Sequence, residues 1–344
     1  MRPIKITILL ALLTVVFNCG NNPETYQEEF SINLNVTEKV IPNNQTVQLS
    51  LNNPKNRTIS STSYSINGKD ISESLDLSTV KLGKQTIEAV VKFDETSVSI
   101  TKDITIVSSE IPKIYTFKVL NEYPHDPSSY TQGLEFHNGT LYEGTGQRGA
   151  SKLRKVNYQT GDILQDVDIA KEYFGEGISI LNNTIYQLTW QRGVGFTYDL
   201  ETLERKGNFK YGKSKEGWGL CNDGSVLYKS DGTENIWILD PETLVEKDRI
   251  QAYTHKGRII ELNELEWVNG KIYSNRWQKN GVLIINPTNG AVEGIIDFSP
   301  LREQVTQHPK LDVLNGLAFN PETNTLFVTG KYWDKLFEVE IIEK

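Results

Sequence analysis

The chain has 344 residues, of which 23% are charged and 38% are apolar, and its formal net charge is -8 at pH 7. This length exceeds what one ordinary hydrophobic core supports, so we expect either more than one folded unit or a single large β domain. The acidic balance and the lack of a basic stretch argue against a general nucleic-acid-binding protein, and no nucleic-acid partner is predicted.

The first 18 residues are typical of a secretory signal peptide. Arg2 and Lys5 precede the apolar run Ile6–Phe17, which is too short to span a bilayer. The run leads into Cys19 through a segment that resembles a bacterial lipobox, although the two residues before the cysteine are larger than usual there. We therefore expect an exported lipoprotein of the cell envelope, lipidated at Cys19 and anchored in the periplasm or at the outer membrane. An ordinary signal peptide is the alternative.

The second cysteine of the chain is Cys221. Lipidation of Cys19 would leave Cys221 without a partner for an intramolecular disulfide. The surrounding pattern places Cys221 inside a strand, so we interpret it as a small buried apolar side chain. A catalytic thiol is the alternative.

A tether and a small domain are expected to follow the leader. Residues 19–28 are polar and lack periodicity, which is typical of a tether. Residues 29–110 contain short alternating runs, such as Thr86–Val91, separated by turn-rich stretches. This pattern predicts a small immunoglobulin-like β-sandwich. The segment has no histidine and no cluster of metal ligands, so we interpret it as a spacer or docking module.

A sequence repeat in residues 113–344 predicts a five-bladed β-propeller. Each repeat opens with a similar phrase and leads through a short turn into a second strand, and the opening positions are 44, 42, 45 and 52 residues apart. Four strands in a period of about 45 residues are typical of a propeller blade. The opening phrases are Gln132–Phe136, Glu176–Ile180, Trp218–Leu220, Asn263–Trp267 and Asn315–Phe319.

The last repeat predicts how the ring closes. It ends with the strand Leu336–Ile341, and the chain stops before a fourth strand can form. The segment Ile114–Val119, just before the first repeat, alternates as a strand should. We expect this segment to complete the last blade, because that pairing removes an exposed sheet edge.

The repeat also predicts a site, because equivalent positions of all blades lie at equal depth around one channel. Two sets of positions should open on the same face: the start of each first strand, and the end of each second strand beside it. The first set is Gln132, Glu176, Trp218, Asn263 and Asn315, and the second is Gly146, Trp190, Gly232, Trp277 and Lys331.

These two sets combine polar and aromatic chemistry suited to a small polar substrate. Three tryptophans could enclose an amide or methylene group and hold an amine by cation–π attraction, although they could also only pack blade against blade. Glu176 follows two aromatic residues that could desolvate it and raise its pKa, which favours proton transfer. A structural or cation-binding role of Glu176 is the alternative.

Other chemistries have little support. The four histidines, His125, His137, His255 and His308, lack metal-ligand spacing, so no catalytic metal is predicted. Neither a nucleophile elbow nor a Walker motif is present. A propeller lactonase would use a metal held by several carboxylates, and besides Glu176 only Asp231 and Glu264 lie next to the two sets.

The chain resembles the plant-type glutaminyl-peptide cyclotransferases, the family of the papaya latex enzyme and its bacterial relatives. The resemblance covers about residues 123–341, that is, the whole predicted propeller. It rests on the phrases Tyr130–Leu134, Tyr173–Gly177, Gly217–Leu220, Leu262–Glu266, Asp312–Gly316 and Val328–Lys331.

The resemblance implies a five-bladed propeller enzyme that converts N-terminal glutamine of peptides or proteins to pyroglutamate and releases ammonia without a metal. It does not exclude a structural calcium ion in the channel. Tyr130 stands where the papaya enzyme has phenylalanine, which keeps an aromatic ring. The active-site positions carried over from the family are Gln132, Phe174, Glu176, Trp190, Trp218, Asn263, Trp277 and Lys331.

We assign roles to these residues as hypotheses. Glu176 is the expected proton shuttle, and Lys331, Gln132 and Asn263 are expected to stabilise the oxyanion. Substrate binding is assigned to Tyr130, Phe174, Trp190, Trp218, Trp277 and Asn315. The alternative function is a non-catalytic cell-surface propeller that binds peptides or glycans in the same aromatic mouth, because fold alone does not imply catalysis.

Overall fold

The computed structural model describes residues 24–344 of the chain. The predicted signal peptide, the predicted lipidation site Cys19 and the start of the predicted tether lie outside the described residues. The end of the tether forms one turn of helix, α1 (Glu24–Gln27), and Tyr26 packs against the core of the first domain. In the described part of the chain, no helix is long and apolar enough to cross a membrane.

The first domain consists of two β-sheets that share one apolar core. One sheet has the order β1-β3-β6 and the other has the order β2-β8-β7-β4-β5. A 3-10 turn at Leu77–Thr79 connects β6 to β7. The strands are β1 (Ser31–Leu34), β2 (Val40–Pro42), β3 (Thr46–Asn52), β4 (Ile59–Ile66), β5 (Lys69–Ile71), β6 (Ser74–Asp76), β7 (Gly83–Phe93) and β8 (Thr96–Val107).

Alternation of apolar and polar residues explains why these segments form a sandwich. Along β7, the side chains of Ile87, Ala89, Val91 and Phe93 are buried, and the residues between them face away from the core. Successive side chains of a strand point to opposite faces, so a period of two gives each sheet one apolar face.

The remaining strands belong to the predicted propeller, and a 3-10 helix spans Ser299–Gln304. The strands are β9 (Lys113–Pro124), β10 (Thr131–His137), β11 (Thr140–Thr145), β12 (Lys152–Val156), β13 (Ile163–Asp168), β14 (Gly175–Leu181), β15 (Thr184–Thr189), β16 (Val194–Asp199), β17 (Arg205–Lys210), β18 (Leu220–Asn222), β19 (Leu227–Ser230), β20 (Asn235–Leu239), β21 (Glu246–Gln251), β22 (Tyr253–Thr254), β23 (Gly257–Arg258), β24 (Leu262–Val268), β25 (Lys271–Arg276), β26 (Gly281–Ile285), β27 (Val292–Asp297), β28 (Leu314–Asn320), β29 (Thr325–Gly330) and β30 (Lys335–Glu343).

Strand pairing divides this region into units that follow the sequence repeat. The first three units are the sheets β10-β11-β12-β13, β14-β15-β16-β17 and β18-β19-β20-β21. The fourth unit (β24 to β27) and the fifth (β28 to β30 with β9) join through β9 into one eight-stranded sheet, and β22 and β23 form a small hairpin. The first strands of neighbouring units contact each other in the closed order β10, β14, β18, β24, β28 and back to β10. Strands account for nearly all of the regular secondary structure, which confirms the predicted all-β class. The five units are compatible with the predicted five blades, and that count stays a prediction.

The strand before the first repeat closes the ring, as predicted. Strand β9 pairs antiparallel with β30 along nearly its whole length, from Tyr115 opposite Glu343 to Pro124 opposite Lys335. Its first residues also pair in parallel with β27 of the fourth unit. The N-terminal and C-terminal strands of the region are therefore held together in one sheet, in which β9 covers the outer edge of β30.

The first domain packs directly on the third and fourth units. The backbone N–H of Leu82 donates to the carbonyl of Asn289 at 2.8 Å, and the N–H of Lys84 donates to Gln251 Oε1 at 2.8 Å. Tyr253 belongs to the apolar core cluster of the first domain. The contact lies on strand ends of the propeller region and contributes no side chain to the predicted site.

Candidate active site

A β-bulge lies at the opening position of four inner strands. The strand register shifts between residues 131 and 133 in β10, 175 and 178 in β14, 262 and 265 in β24, and 314 and 317 in β28. A bulge inserts an unpaired residue and re-aims its side chain, and bulges are frequent beside active sites. The bulged segments contain Gln132, Glu176, Asn263 and Asn315, four of the predicted site residues.

The glycine that follows most opening positions allows neighbouring inner strands to approach closely. A Cβ atom at Gly133 would lie 2.5 Å from the backbone nitrogen of Ile178, and one at Gly177 would lie 2.7 Å from that of Leu220. The N–H of Gly177 in the second unit donates to the carbonyl of Trp218 in the third unit at 2.8 Å. The repeated glycine is therefore a packing requirement that fixes the spacing of the site residues.

Three predicted residues from three units form one hydrogen-bonded chain. Gln132 Nε2 donates to Glu176 Oε2 at 2.5 Å, and Gln132 Oε1 accepts from Asn315 Nδ2 at 3.3 Å. Asn315 Nδ2 also donates to the carbonyl of Thr131 at 2.9 Å. Asn315 thereby orients the amide of Gln132 with its donor toward Glu176. All three side chains are buried.

Glu176 lies in an environment that disfavours its charged form. Burial raises the pKa of Glu176 well above its ordinary value of 4.5, Lys331 opposes this shift, and the negative charge of Glu216 adds to it. Each interaction has the sign expected for a carboxyl group beside a cation and an anion. The raised pKa brings proton uptake and release closer to neutral pH, which is the range useful for general acid–base catalysis.

Lys331 is buried beside an aromatic ring. Its ammonium group lies 4.6 Å from the centre of the Tyr130 ring, and the hydroxyl of Tyr130 donates to Asp312 Oδ2 at 3.3 Å. Burial lowers the pKa of Lys331, and the carboxylates of Glu176 and Asp312 oppose that shift. Glu176 acts on Lys331 through its charge, without a direct hydrogen bond between the two side chains. The sequence did not single out Asp312.

The aromatic residues form a wall of two ring clusters beside these polar groups. Phe174 packs edge-to-face with both Tyr130 and Trp190, with ring centres 5.9 and 5.7 Å apart. Trp218 packs edge-to-face with Trp277 at 5.8 Å. Trp277 is 38% exposed and marks the outer rim. The structure thus brings all five predicted aromatic residues to one mouth.

The two glycines of the second set make room for this wall. A side chain at Gly146 would collide with the ring of Phe174, and a Cβ at Gly232 would lie 2.7 Å from the ring of Trp218. Gly232 also has a positive φ of 79°, which favours glycine. The space left by these glycines is therefore filled by aromatic rings of the protein.

Asn263 and Asn315 retain unused hydrogen-bonding capacity. Both side chains are buried, and within residues 24–344 neither Oδ1 atom has a hydrogen-bond partner. A buried polar atom without a partner is costly and usually has a functional explanation. An amide-containing substrate with its amine and carboxamide groups could satisfy these positions.

Glu216 binds two of the tryptophans and was not among the predicted site residues. Its Oε2 atom accepts from the indole Nε1 of Trp190 and from that of Trp218, both at 2.8 Å, and its Oε1 atom accepts from Gln191 at 3.0 Å. One carboxylate therefore links the wall of the second unit to that of the third. Its position two residues before Trp218, as the single acidic residue of the loop 211–217, was the available signal.

We expect Glu216→Ala to lower kcat/KM by about tenfold to a hundredfold, because both indoles lose a charged acceptor and the substrate is held less well. Glu216→Gln keeps an acceptor but removes the charge that raises the pKa of Glu176, so the acid limb of the pH–rate profile should move to lower pH. Steady-state kinetics over a pH series measure both effects. Glu201→Ala, at an exposed carboxylate of the second unit, is the control, and an unchanged acid limb in Glu216→Gln would contradict the coupling.

A buried ion pair fixes the loop that carries Glu216. Lys229 Nζ lies 3.3 Å from Glu246 Oε1 and donates to the carbonyl of Glu216 at 2.9 Å and to Ser214 Oγ at 2.5 Å. Glu246 Oε2 accepts from the backbone N–H groups of Lys213 and Ser214, at 2.6 and 3.0 Å. Both charged side chains are almost fully buried. The pair therefore clamps residues 213–216 against β19 and β21.

The described carboxylates do not fit the calcium ion that the resemblance allowed. In the described part of the chain, no three His, Cys, Asp or Glu side chains are grouped so that they could hold a metal ion. The inner-strand glutamates instead accept backbone N–H groups of neighbouring units: Glu135 from Ile180 at 3.0 Å, Glu264 from Leu317 at 3.2 Å and Glu266 from Phe319 at 2.7 Å. The lactonase alternative, which needs several carboxylates on one metal, has no support in this donor set.

The chain is similar to known glutamine cyclotransferases in sequence and in structure. The family model described as glutamine cyclotransferase matches residues 90–341. A glutaminyl-peptide cyclotransferase of Arabidopsis thaliana is 40% identical over 235 residues, which cover 67% of this chain and 72% of that protein.

Among solved structures, the crystal structure of Myxococcus xanthus glutaminyl cyclase matches with a TM-score of 0.63 and 33% identity, covering 68% of this chain and 99% of that chain. The match confirms the propeller-like fold predicted from the repeat. Together with the family model and the sequence relative, it also confirms the resemblance drawn from the motif phrases. The chain belongs to the glutamine cyclotransferase family.

Proposed function

We propose that this chain is a glutaminyl-peptide cyclotransferase that closes the N-terminal glutamine of peptides or proteins into pyroglutamate and releases ammonia. The mechanism rests on one observation: Glu176 is buried, accepts a hydrogen bond from Gln132 and interacts electrostatically with Lys331. Family membership and the similarity to enzymes with this name support the reaction.

The reaction is an intramolecular acyl transfer. The neutral α-amine nitrogen of the substrate attacks its own side-chain carbonyl carbon, a new C–N bond forms, and the carbonyl oxygen becomes an oxyanion. Glu176 accepts a proton from the attacking nitrogen and delivers it to the amide nitrogen that leaves as ammonia when the old C–N bond breaks. Its raised pKa suits a group that must both take and give a proton in one turnover.

The oxyanion requires donors that are fixed before the reaction. The buried ammonium of Lys331 is the strongest candidate, because a charged donor in a site of low polarity stabilises developing negative charge without reorganisation. Gln132 and Asn263 supply amide donors from the bulged strands of the first and fourth units. Asn315 acts through Gln132, whose amide it orients.

The aromatic wall explains how a flexible glutamine reaches the attack geometry. Phe174, Trp190 and Trp218 enclose the methylene groups of the side chain, and the edge-to-face contacts among the rings keep that enclosure rigid. Ordering a flexible chain into a near-attack conformer can contribute several kcal/mol to an intramolecular reaction.

We propose that catalysis needs no metal, because the groups assigned to proton transfer and oxyanion stabilisation are side chains of the protein. Ammonia release from a glutaminyl-alanine amide peptide, by protein treated with a chelator and then dialysed, measures this. We expect turnover within about twofold of the untreated protein. Loss of turnover that added Ca²⁺ or Zn²⁺ restores would contradict the proposal, and restoration by Ca²⁺ would favour the structural calcium ion that the resemblance does not exclude.

The rival function is a propeller that binds peptides or glycans without chemistry. A binding site needs the tryptophans but has little use for a buried carboxyl group of raised pKa hydrogen-bonded to an amide donor. The absence of ammonia release from several N-terminal glutamine peptides, together with measurable binding of them, would favour this rival.

We also propose that the protein is exported and anchored to a membrane by a lipid on Cys19. The support is the pattern of the first 19 residues: two basic residues, a short apolar run and a lipobox-like cysteine. Fractionation of cells tests the anchor. The wild type should sediment with membranes and Cys19→Ala should be released, whereas equal distribution of the two would contradict it.

A further inference from the structure

A groove leads away from the mouth across the third unit. Its volume is about 450 Å³, and it shares Glu216 and Trp218 with the mouth. Trp218 stands just before the inner strand β18, whereas Trp237, which also lines the groove, lies in β20, the third strand of the unit. The groove therefore continues from the aromatic wall toward the outer edge of the propeller.

The substrate of the proposed reaction needs such a path. Only the N-terminal glutamine reacts, so the chain that follows it must leave the mouth on the open side. An open groove continuous with the mouth fits an extended peptide better than an enclosed pocket would. The occupant that this continuity favours is the segment directly after the glutamine.

The charged side chains along the groove differ in whether they already have hydrogen-bond partners. The carboxylates that line it are already used: Glu216 binds two indoles, and Asp231 accepts from Trp237 Nε1 at 2.7 Å. Lys213 and Lys215 also line it, both are exposed, and within residues 24–344 neither amine is in an ion pair or a hydrogen bond. Both carboxylates keep their negative charge, but Lys213 and Lys215 carry the charged groups of the groove whose hydrogen-bonding capacity is unused.

We propose that this groove binds the residues that follow the N-terminal glutamine and favours an acidic side chain among them. The inference rests on the proposed cyclotransferase function. Lys213 and Lys215 reach the bound peptide as exposed, mobile cations, so the preference should be moderate and should weaken as salt is added.

The test compares three substrates: glutaminyl-glutamyl-alanine amide, glutaminyl-lysyl-alanine amide and glutaminamide, which has no residue to place in the groove. At low salt, the wild type should turn over the glutamyl peptide with a kcat/KM about fivefold above that of the lysyl peptide. The double variant Lys213→Glu, Lys215→Glu should lose or reverse this preference, measured as the ratio of the two kcat/KM values, each relative to turnover of glutaminamide by the same variant, because the added negative charge beside Glu216 also reaches the mouth.

The matched control makes the same change of net charge far from the groove. Lys39→Glu with Lys92→Glu replaces two exposed lysines of the first domain and should keep the wild-type preference. Equal kcat/KM for the two peptides in the wild type, or a preference that survives in the groove variant, would overturn the proposal. A groove variant that loses turnover of glutaminamide and of both peptides in the same proportion would also overturn it, because the lysines would then act on the mouth alone. Failure of the wild type on all three substrates would instead count against the cyclotransferase function.

Discussion

Replacing Glu176 by glutamine should lower kcat by about a hundredfold to ten-thousandfold and change KM little, because a positioned general acid–base group contributes a factor of that size. Glutamine has nearly the same shape and can still accept the hydrogen bond that Gln132 donates, so the site should stay assembled. Only the ability to carry a proton is lost. Ammonia release from glutaminyl-alanine amide, measured under saturating substrate, checks the result.

The stability of the same variant separates a catalytic role from a structural one. Because the folded-state pKa of Glu176 is raised, its protonated form favours folding. That contribution is complete below the unfolded pKa near 4.5 and is lost as pH rises through the folded pKa. Glu176→Gln cannot ionise, so it should be at least as stable as the wild type at neutral pH.

The control is Glu135→Gln, at another inner-strand carboxyl group whose pKa burial raises, which the mouth does not use. It should keep wild-type turnover. Near wild-type turnover in Glu176→Gln, or an equal loss in both variants, would refute the proton-shuttle role of Glu176.

Glu246→Ala should lower the free energy of unfolding of the propeller by about 3 to 5 kcal/mol, because it leaves the ammonium of Lys229 buried without its counter-charge. The same change removes the acceptor of two backbone N–H groups in the loop that carries Glu216. Activity should therefore fall together with stability. Urea unfolding followed by tryptophan fluorescence measures the effect on the propeller alone, since all six tryptophans lie after residue 112.

Removing the other partner of the ion pair, by Lys229→Met, should lower the free energy of unfolding less than Glu246→Ala does. Glu246 would keep the two backbone N–H donors and the hydroxyl of Ser214, and methionine fills much of the buried volume. The control is Lys247→Met, which breaks an exposed ion pair with Asp240 and should cost less than about 1 kcal/mol. Equal small losses in Glu246→Ala and Lys247→Met would show that the buried pair does not hold the loop.

The repeat made much of the site predictable without a relative for comparison. A propeller places equivalent positions at equal depth, so the polar opening residues Gln132, Glu176 and Asn315 could be grouped before any distance was known. In the structure, hydrogen bonds join these three side chains into one chain. Glu176 was also predicted to be desolvated from its aromatic neighbours, and burial is indeed the main cause of its raised pKa.

The residues that support the site were not predictable in the same way. Glu216 lies in a loop between units, outside the repeat, and its role depends on two indoles that are 26 and 2 residues away along the chain. Lys229 in β19 pairs with Glu246 in β21, and both side chains are buried, although charged residues of a strand ordinarily face solvent. Gly146 and Gly232 were predicted only as members of the second set, and the structure shows that aromatic rings pack against them.

The sequence was sufficient to predict the strand periodicity, the pairing of the segment before the first repeat with the last unit, and the repeat positions that open the inner strands, because these follow from a period of two within a strand and a period of about 45 along the chain. The fold in three dimensions decided which of those residues bond to each other, how far burial shifts the pKa of Glu176 and Lys331, and which loops clamp them. Distances and desolvation arise between segments far apart in sequence, and a one-dimensional pattern contains neither.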